Sequence, residues 1–179
     1  MSPLAQILIQ ILSAGTLLIQ IMSVLLIVMY GYGFLKPKNK SVIRLKNLIS
    51  NNYVVIVLII SGLATAGSLS LSEIVNFAPC KLCWYQRVLM YPQALIAFVA
   101  LITNDTKIRK FILPLSIIGI LIATYHILLQ IFPTAFQCND EVAKCSAIQF
   151  AQFGYITIPV MAFSSFLFVI LVSLFKNKD

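Results

Sequence analysis

The stretch YVVIVLIISGLATAGSLSLS, residues 53–72, decides the class of fold. It runs for about 20 residues without a charge, and at about 1.5 Å per residue a helix of that length matches the hydrocarbon thickness of a bilayer. Backbone N–H and C=O groups inside hydrocarbon need partners, and a helix supplies them within a single segment. Residues 53–72 therefore predict a membrane-spanning helix. Ser61, Gly62, Ala64, Ala66, Gly67 and Ser68 keep its profile small, which predicts close packing against a neighbouring helix in lipid.

Four further stretches with little or no charge flank it: Leu4–Leu35, Trp84–Thr103, Phe111–Phe132 and Tyr155–Phe175. Only 10% of the 179 residues are charged and 60% are hydrophobic. A soluble domain carries about 25% charge, so the composition excludes one. The class expected is an all-α integral membrane protein with five spans, forming a single membrane domain over residues 1–179. The first stretch would reach about 48 Å, too long for an upright span. It is expected to tilt, or to lay its first turns, with Gln6 and Gln10, along the interface. No Lys or Arg precedes Lys36, so residues 4–35 lack the basic opening of a signal peptide and read as a retained helix.

The net charge of +8 reports orientation here rather than nucleic-acid binding. Lys36, Lys38, Lys40, Arg44 and Lys46 crowd the first connection, Lys107, Arg109 and Lys110 the third, and Lys176 and Lys178 end the chain. Against these ten, the other side holds Lys81, Arg87 and Lys144. Positive residues favour the cytoplasmic side. The C-terminus is then cytoplasmic, and the N-terminus and the 73–83 and 133–154 loops lie outside. All four cysteines, Cys80, Cys83, Cys138 and Cys145, fall in or beside those outer loops.

PCKLCWYQR, residues 79–87, leaves three chemistries open: a metal clip, a structural staple or a redox couple. Structural zinc uses paired CxxC motifs or added histidines. Here the second pair is spaced C-x6-C, and the lone His126 lies well inside a span, so no metal is expected. Disulfides persist on the oxidising side of a membrane, which suits both a staple and a redox couple. The redox reading rests on the surroundings. Cys83 directly precedes a helix that begins near Trp84, and a helix N-terminus favours thiolate. Lys81 adds a cation, and Arg87 shares a helix face with Cys83 if Cys83 falls in the first turn. An Arg inside a span either snorkels to the headgroups or serves a function. His126 lies about two turns below the same membrane edge as Arg87, with Gln130 one turn further on. A His and an Arg at matching depth would donate to oxygen atoms that gain negative charge. Neither CxxCH nor GxGxxG occurs, so haem and nucleotide cofactors find no motif. A lipid-soluble quinone needs neither.

PCKLCWYQR followed by VLMYP, YHILLQIFP closing one span, a second outer cysteine pair, and FGYITIPVMAF opening the last span together resemble the DsbB-type disulfide bond formation proteins, in the BdbC-like branch. The resemblance covers residues 50–175. It implies a four-helix bundle, residues 53–175, that reoxidises a soluble DsbA-like, thioredoxin-fold partner and reduces a quinone, ubiquinone or menaquinone, in a bacterial inner membrane. By this resemblance Cys80 and Cys83 form the quinone-linked disulfide, and Cys83 is the thiolate that contacts or adds to the quinone ring. Arg87 stabilises that thiolate and the reduced quinone. His126 belongs to the quinone pocket, with Gln130 beside it. Cys138 makes the mixed disulfide with the partner, and Cys145 pairs transiently with Cys80. Two departures stand out: the additional N-terminal helix 4–35, and the six residues between Cys138 and Cys145 where some relatives space the pair widely. Two alternatives remain: a quinone reductase similar to vitamin K epoxide reductase, and a non-enzymatic membrane scaffold stapled by disulfides.

Overall fold

The computed structural model describes residues 2–35, 39–132 and 145–175. They form six helices: α1 (Pro3–Leu35), α2 (Lys40–Asn51), α3 (Tyr53–Glu73), α4 (Lys81–Thr103), α5 (Arg109–Ile131) and α6 (Ile158–Phe175). Five of these, all but α2, are long and apolar enough to cross a membrane. Leu63, Val88, Leu95 and Leu121 each expose more than half of their surface, which suits contact with lipid rather than water.

α1 is one unbroken helix of 33 residues. Its hydroxyls stay out of the way by bonding backward to carbonyls four residues earlier: Ser13 to Ile9, Thr16 to Leu12 and Ser23 to Ile19. It packs chiefly on α6. The Gln20 amide donates to Ser164 Oγ (3.0 Å) and accepts from the Tyr155 hydroxyl (2.7 Å). Near its other end Tyr30 meets Phe175 edge-on at 5.6 Å.

The first connection also holds a helix that the charge pattern had hidden. In α2, Lys40, Arg44 and Lys46 alternate with Val42, Ile43, Leu45, Leu48 and Ile49, and Ile49 is buried. Asn39 caps it by accepting from Ser41 N–H at 2.8 Å. At 12 residues it is too short to span and amphipathic enough to lie along the bundle's end.

α3, α4, α5 and α6 pack in sequence around the bundle, and α6 is the most buried of the spans. Gly119 of α5 allows this: a Cβ there would collide with the Phe166 ring of α6. Polar pairs are satisfied between helices, with Ser116 donating to Gln93 at 2.9 Å across α4 and α5. At the end away from the cysteines, Tyr53 and Ser173 share a 2.8 Å bond, and Arg109 Nε donates to the Ser173 carbonyl. There the main core gathers Tyr53, Val57, Ala97, Ile112, Val169 and Val172.

Candidate redox site

The chain leaves α3 through a turn in which Phe77 N–H donates back to the Leu71 carbonyl and Asn76 takes φ +60°, a conformation Asn tolerates. α4 then starts at Lys81, three residues before Trp84. Cys80 is therefore the N-cap, and Cys83 lies in the first turn with Arg87 one turn above it. Cys80 Sγ accepts from Cys83 N–H at 3.4 Å, as a cap side chain does.

Cys80 and Cys83 are both free thiols, and their sulfurs are 3.1 Å apart. A disulfide bond is about 2.05 Å long, so closure needs a movement of about 1 Å. In the dithiol, the two sulfurs share a hydrogen bond. That bond is the main reason the Cys80 pKa lies at about 4, far below its ordinary value of 9.0. Burial pushes the other way, and His126 and the Cys83 N–H add to the lowering. The helix-start effect that the sequence assigned to Cys83 thus acts on Cys80 in this state, because the cap falls on residue 80.

His126, 2% exposed, stands between the two cysteine loops. Gln86 donates to its Nδ1 at 3.3 Å, which leaves the proton on Nε2. Nε2 is 3.1 Å from the Cys145 carbonyl and 3.7 Å from Cys80 Sγ. Cys145 is disulfide-bonded and buried, and shares one apolar cluster with Cys80, Leu82 and Leu129. Cys138 lies outside the described residues.

Two contacts tie the loops together: Phe77 stacks on Phe150 at 5.9 Å, and Gln149 donates to the Ala78 carbonyl. Gln130 holds the same segment. Its carbonyl accepts from Thr157 at 2.9 Å, and its amide reaches the Ala147 carbonyl at 3.5 Å. The stretch before α6 closes in a tight turn, with Phe153 and Gly154 at positive φ between Gln152 and Ile156. This turn is why α6 begins at Ile158 rather than at Tyr155.

Arg87 faces the other way, toward α3. Its Nε donates to Ser68 Oγ (2.9 Å), and its Nη2 donates to the Ser68 carbonyl (2.9 Å) and to Ser72 Oγ (2.8 Å). Its guanidinium also lies 5.3 Å from the Trp84 ring. Ser68 belongs to the small-residue stripe, so the stripe does more than admit a neighbour.

A cavity of about 280 Å³ opens beside Arg87. Cys83, Gln86, Arg87 and Ser68 line it, together with residues of α1, α3, α4 and α6 and of the two cysteine loops. Cys83 is at its wall, whereas Cys80 faces Cys145. His126 and Gln130 are not among the lining residues. The two predicted donors thus face different ways. Gln86 connects them by lining the cavity and bonding His126, and the sequence offered no sign of it beyond a Gln inside a span. The sulfurs of Cys80 and Cys83 and a nitrogen of His126 lie within 4.8 Å of one another. The sequence had kept His126 apart from the CxxC in any metal count. In the structure its Nε2 is turned to the Cys145 carbonyl.

A dithiol with Cys80 buried and Cys83 half-buried at one end of a membrane bundle, packed against a disulfide-bonded cysteine, is equipped for thiol–disulfide exchange, which makes this protein a membrane thiol–disulfide oxidoreductase. The comparisons agree. The profile of the family described as Disulfide bond formation protein DsbB matches residues 50–176, and the chain belongs to that family. Disulfide bond formation protein C of Bacillus subtilis is 42% identical over 115 residues, covering 63% of this chain and 83% of the relative. A probable disulfide formation protein of Oceanobacillus iheyensis is 41% identical over 135 residues, 73% of this chain and 92% of the relative. Probable disulfide formation protein C 1 of Bacillus anthracis is 39% identical over 123 residues, 66% of this chain and 88% of the relative. No solved structure matches.

Proposed function

We propose that the protein oxidises the dithiol of a soluble thioredoxin-fold partner of the DsbA type and passes the electrons to a membrane quinone. The observation that carries this reading is the split position of the free dithiol. Cys83 borders an apolar cavity at span depth, and Cys80 borders the buried Cys145.

In this reading a partner thiolate attacks Cys138 of the Cys138–Cys145 disulfide and forms a mixed disulfide. The partner's second thiol displaces Cys138, leaving the partner oxidised and Cys138 and Cys145 as thiols. Cys145 then attacks Cys80 of an oxidised Cys80–Cys83 pair, and Cys138 closes the exchange. The result is a restored outer disulfide and a Cys80–Cys83 dithiol, the redox state of the described cysteines. His126 Nε2 is positioned to hold a proton at Cys80 Sγ as its charge changes.

Two electrons and two protons then have to leave on the Cys83 side, and a ubiquinone or menaquinone supplies a two-electron, two-proton acceptor. The cavity suits one: it is mostly apolar, near the lower size limit of ligand pockets, and has an Arg at its polar end. Arg87 would hold negative charge there, kept in place by Ser68 and Ser72. Gln130 would act through the loop it holds. The basic residues at the other end of the bundle support a cytoplasmic-membrane location with the cysteine end outside.

The cavity beside Cys83 and the packing of Cys80 against Cys145 favour exchange over a purely structural staple. The decisive experiment mixes the purified protein in lipid nanodiscs with a reduced DsbA-type protein and decylubiquinone. One quinone should be reduced per dithiol oxidised, and Cys83→Ala should stop it. An unchanged rate in that variant would overturn the reading.

A further inference from the structure

We propose that α1 is the specificity wall of the acceptor site: the face around Gly15 receives the apolar, prenyl-bearing part of the quinone, and Gly15 admits it by lacking a side chain. The inference rests on the quinone reading above and adds to it the element that chooses among quinones. α1 lies outside the residues matched by the family profile.

α1 and α3 run antiparallel along the cavity. Their levels are set where they touch: a Cβ on Gly67 would lie 2.7 Å from a Leu12 methyl. Arg87 bonds Ser68 and Ser72, so the polar end of the cavity is level with Gly67 or nearer the cysteines. From there the lining continues along α1 through Gly15 to Ile19, and along α3 through Ala64 to Ile60. Each path runs seven residues, about 10 Å of helix. The cavity thus has a polar head beside Cys83 and Arg87 and an apolar extension between α1 and α3.

The α1 side of that extension offers nothing polar. Its one hydroxyl, Thr16, is turned to the Leu12 carbonyl at 2.8 Å. Gly15 lines the cavity, and a Cβ added there would meet no atom within 4 Å. A side chain at residue 15 would therefore extend into open space beside the cavity rather than strike a helix. The wall is also held in place, since Gln20, just beyond Ile19, bonds both Ser164 and Tyr155.

The test measures binding directly. Trp84 is the chain's single tryptophan and lies against Arg87, so its fluorescence quenching reports quinone occupancy. The full-length protein in quinone-free nanodiscs is titrated with menaquinone-4 and menadione, and with ubiquinone-4 and ubiquinone-0, pairs that share a ring and differ in the tail. Gly15→Leu should weaken the tailed member of whichever series binds by about tenfold or more, and the tail-free member by less than about threefold, a methylene-scale steric discrimination. Gly15→Ala should stay within about twofold of wild type. Ile19→Phe, which fills the extension from the next turn, should reproduce the split if Gly15→Leu does not fold. Equal weakening of both members, or of neither, would overturn the inference and leave the quinone reading standing. Wild-type protein that binds no quinone would sink both.

Discussion

The two ends of the bundle are built on different terms. Away from the cysteines, Tyr53, Val57, Ile112, Val169 and Val172 close a dense apolar core, and the polar groups there pair off as Tyr53 with Ser173 and Arg109 with the Ser173 carbonyl. At the cysteine end the buried apolar cluster shrinks to Cys80, Leu82, Leu129 and Cys145. The space left over becomes a cavity, and polar side chains span the helices as Gln86–His126 and Arg87–Ser68. The contrast teaches that one end is closed by packing while the other keeps open space, which on the proposed function would serve a ligand and sulfur exchange.

Substitutions at the two ends should therefore separate. Cys83→Ala should abolish dithiol-dependent quinone reduction while leaving helicity by circular dichroism unchanged. The same change removes the main cause of the depressed Cys80 pKa. In a background without Cys138 and Cys145, the thiolate absorbance at 240 nm should persist down to about pH 5 in the reduced wild-type pair, since protonation begins only near a pKa of about 4. With Cys83→Ala it should fade as pH drops through about 8.5, the ordinary thiol range. Titration curves that coincide would break the assignment of Cys80 as the low-pKa sulfur.

At the other end Ile112→Ala should cost about 2–4 kcal/mol of stability, read by thermal unfolding in detergent, with the quinone KM unchanged. A raised KM would show that the two ends are coupled. Arg87→Lys should raise that KM about tenfold, because an ammonium cannot reproduce the guanidinium fork on Ser68 and Ser72. Ser68→Ala, which removes one hydroxyl from that fork, should have the smallest effect, about threefold, the worth of a single hydrogen bond.

The spans were readable to within a few residues because hydrocarbon imposes one rule on every backbone group, and apolar length alone then predicts a helix. The boundaries that moved did so for local reasons. α4 starts early because Cys80 caps it, and α6 starts late because the Gln152–Ile156 turn comes first. α2 escaped notice because a short amphipathic helix has the composition of a charged loop. Cys80, Cys83 and Arg87 were also readable as candidates, since CxxC spacing and a charge inside a span stand out by residue type. Gln86, Ser68 and Ser72 were not, because a Gln or Ser in a helix becomes functional only through the neighbour it meets.

By itself the sequence determined the membrane class, the positions of five spans and the cysteines that are candidates for exchange, all properties of composition and near-neighbour spacing. Only the tertiary structure decided which way each of those residues faces. Helix packing turned His126 to Cys80 and Cys145, turned Arg87 to α3 and the cavity, and brought α1 in as a wall beside Cys83. These directions depend on contacts between residues far apart in the chain, which no local pattern encodes.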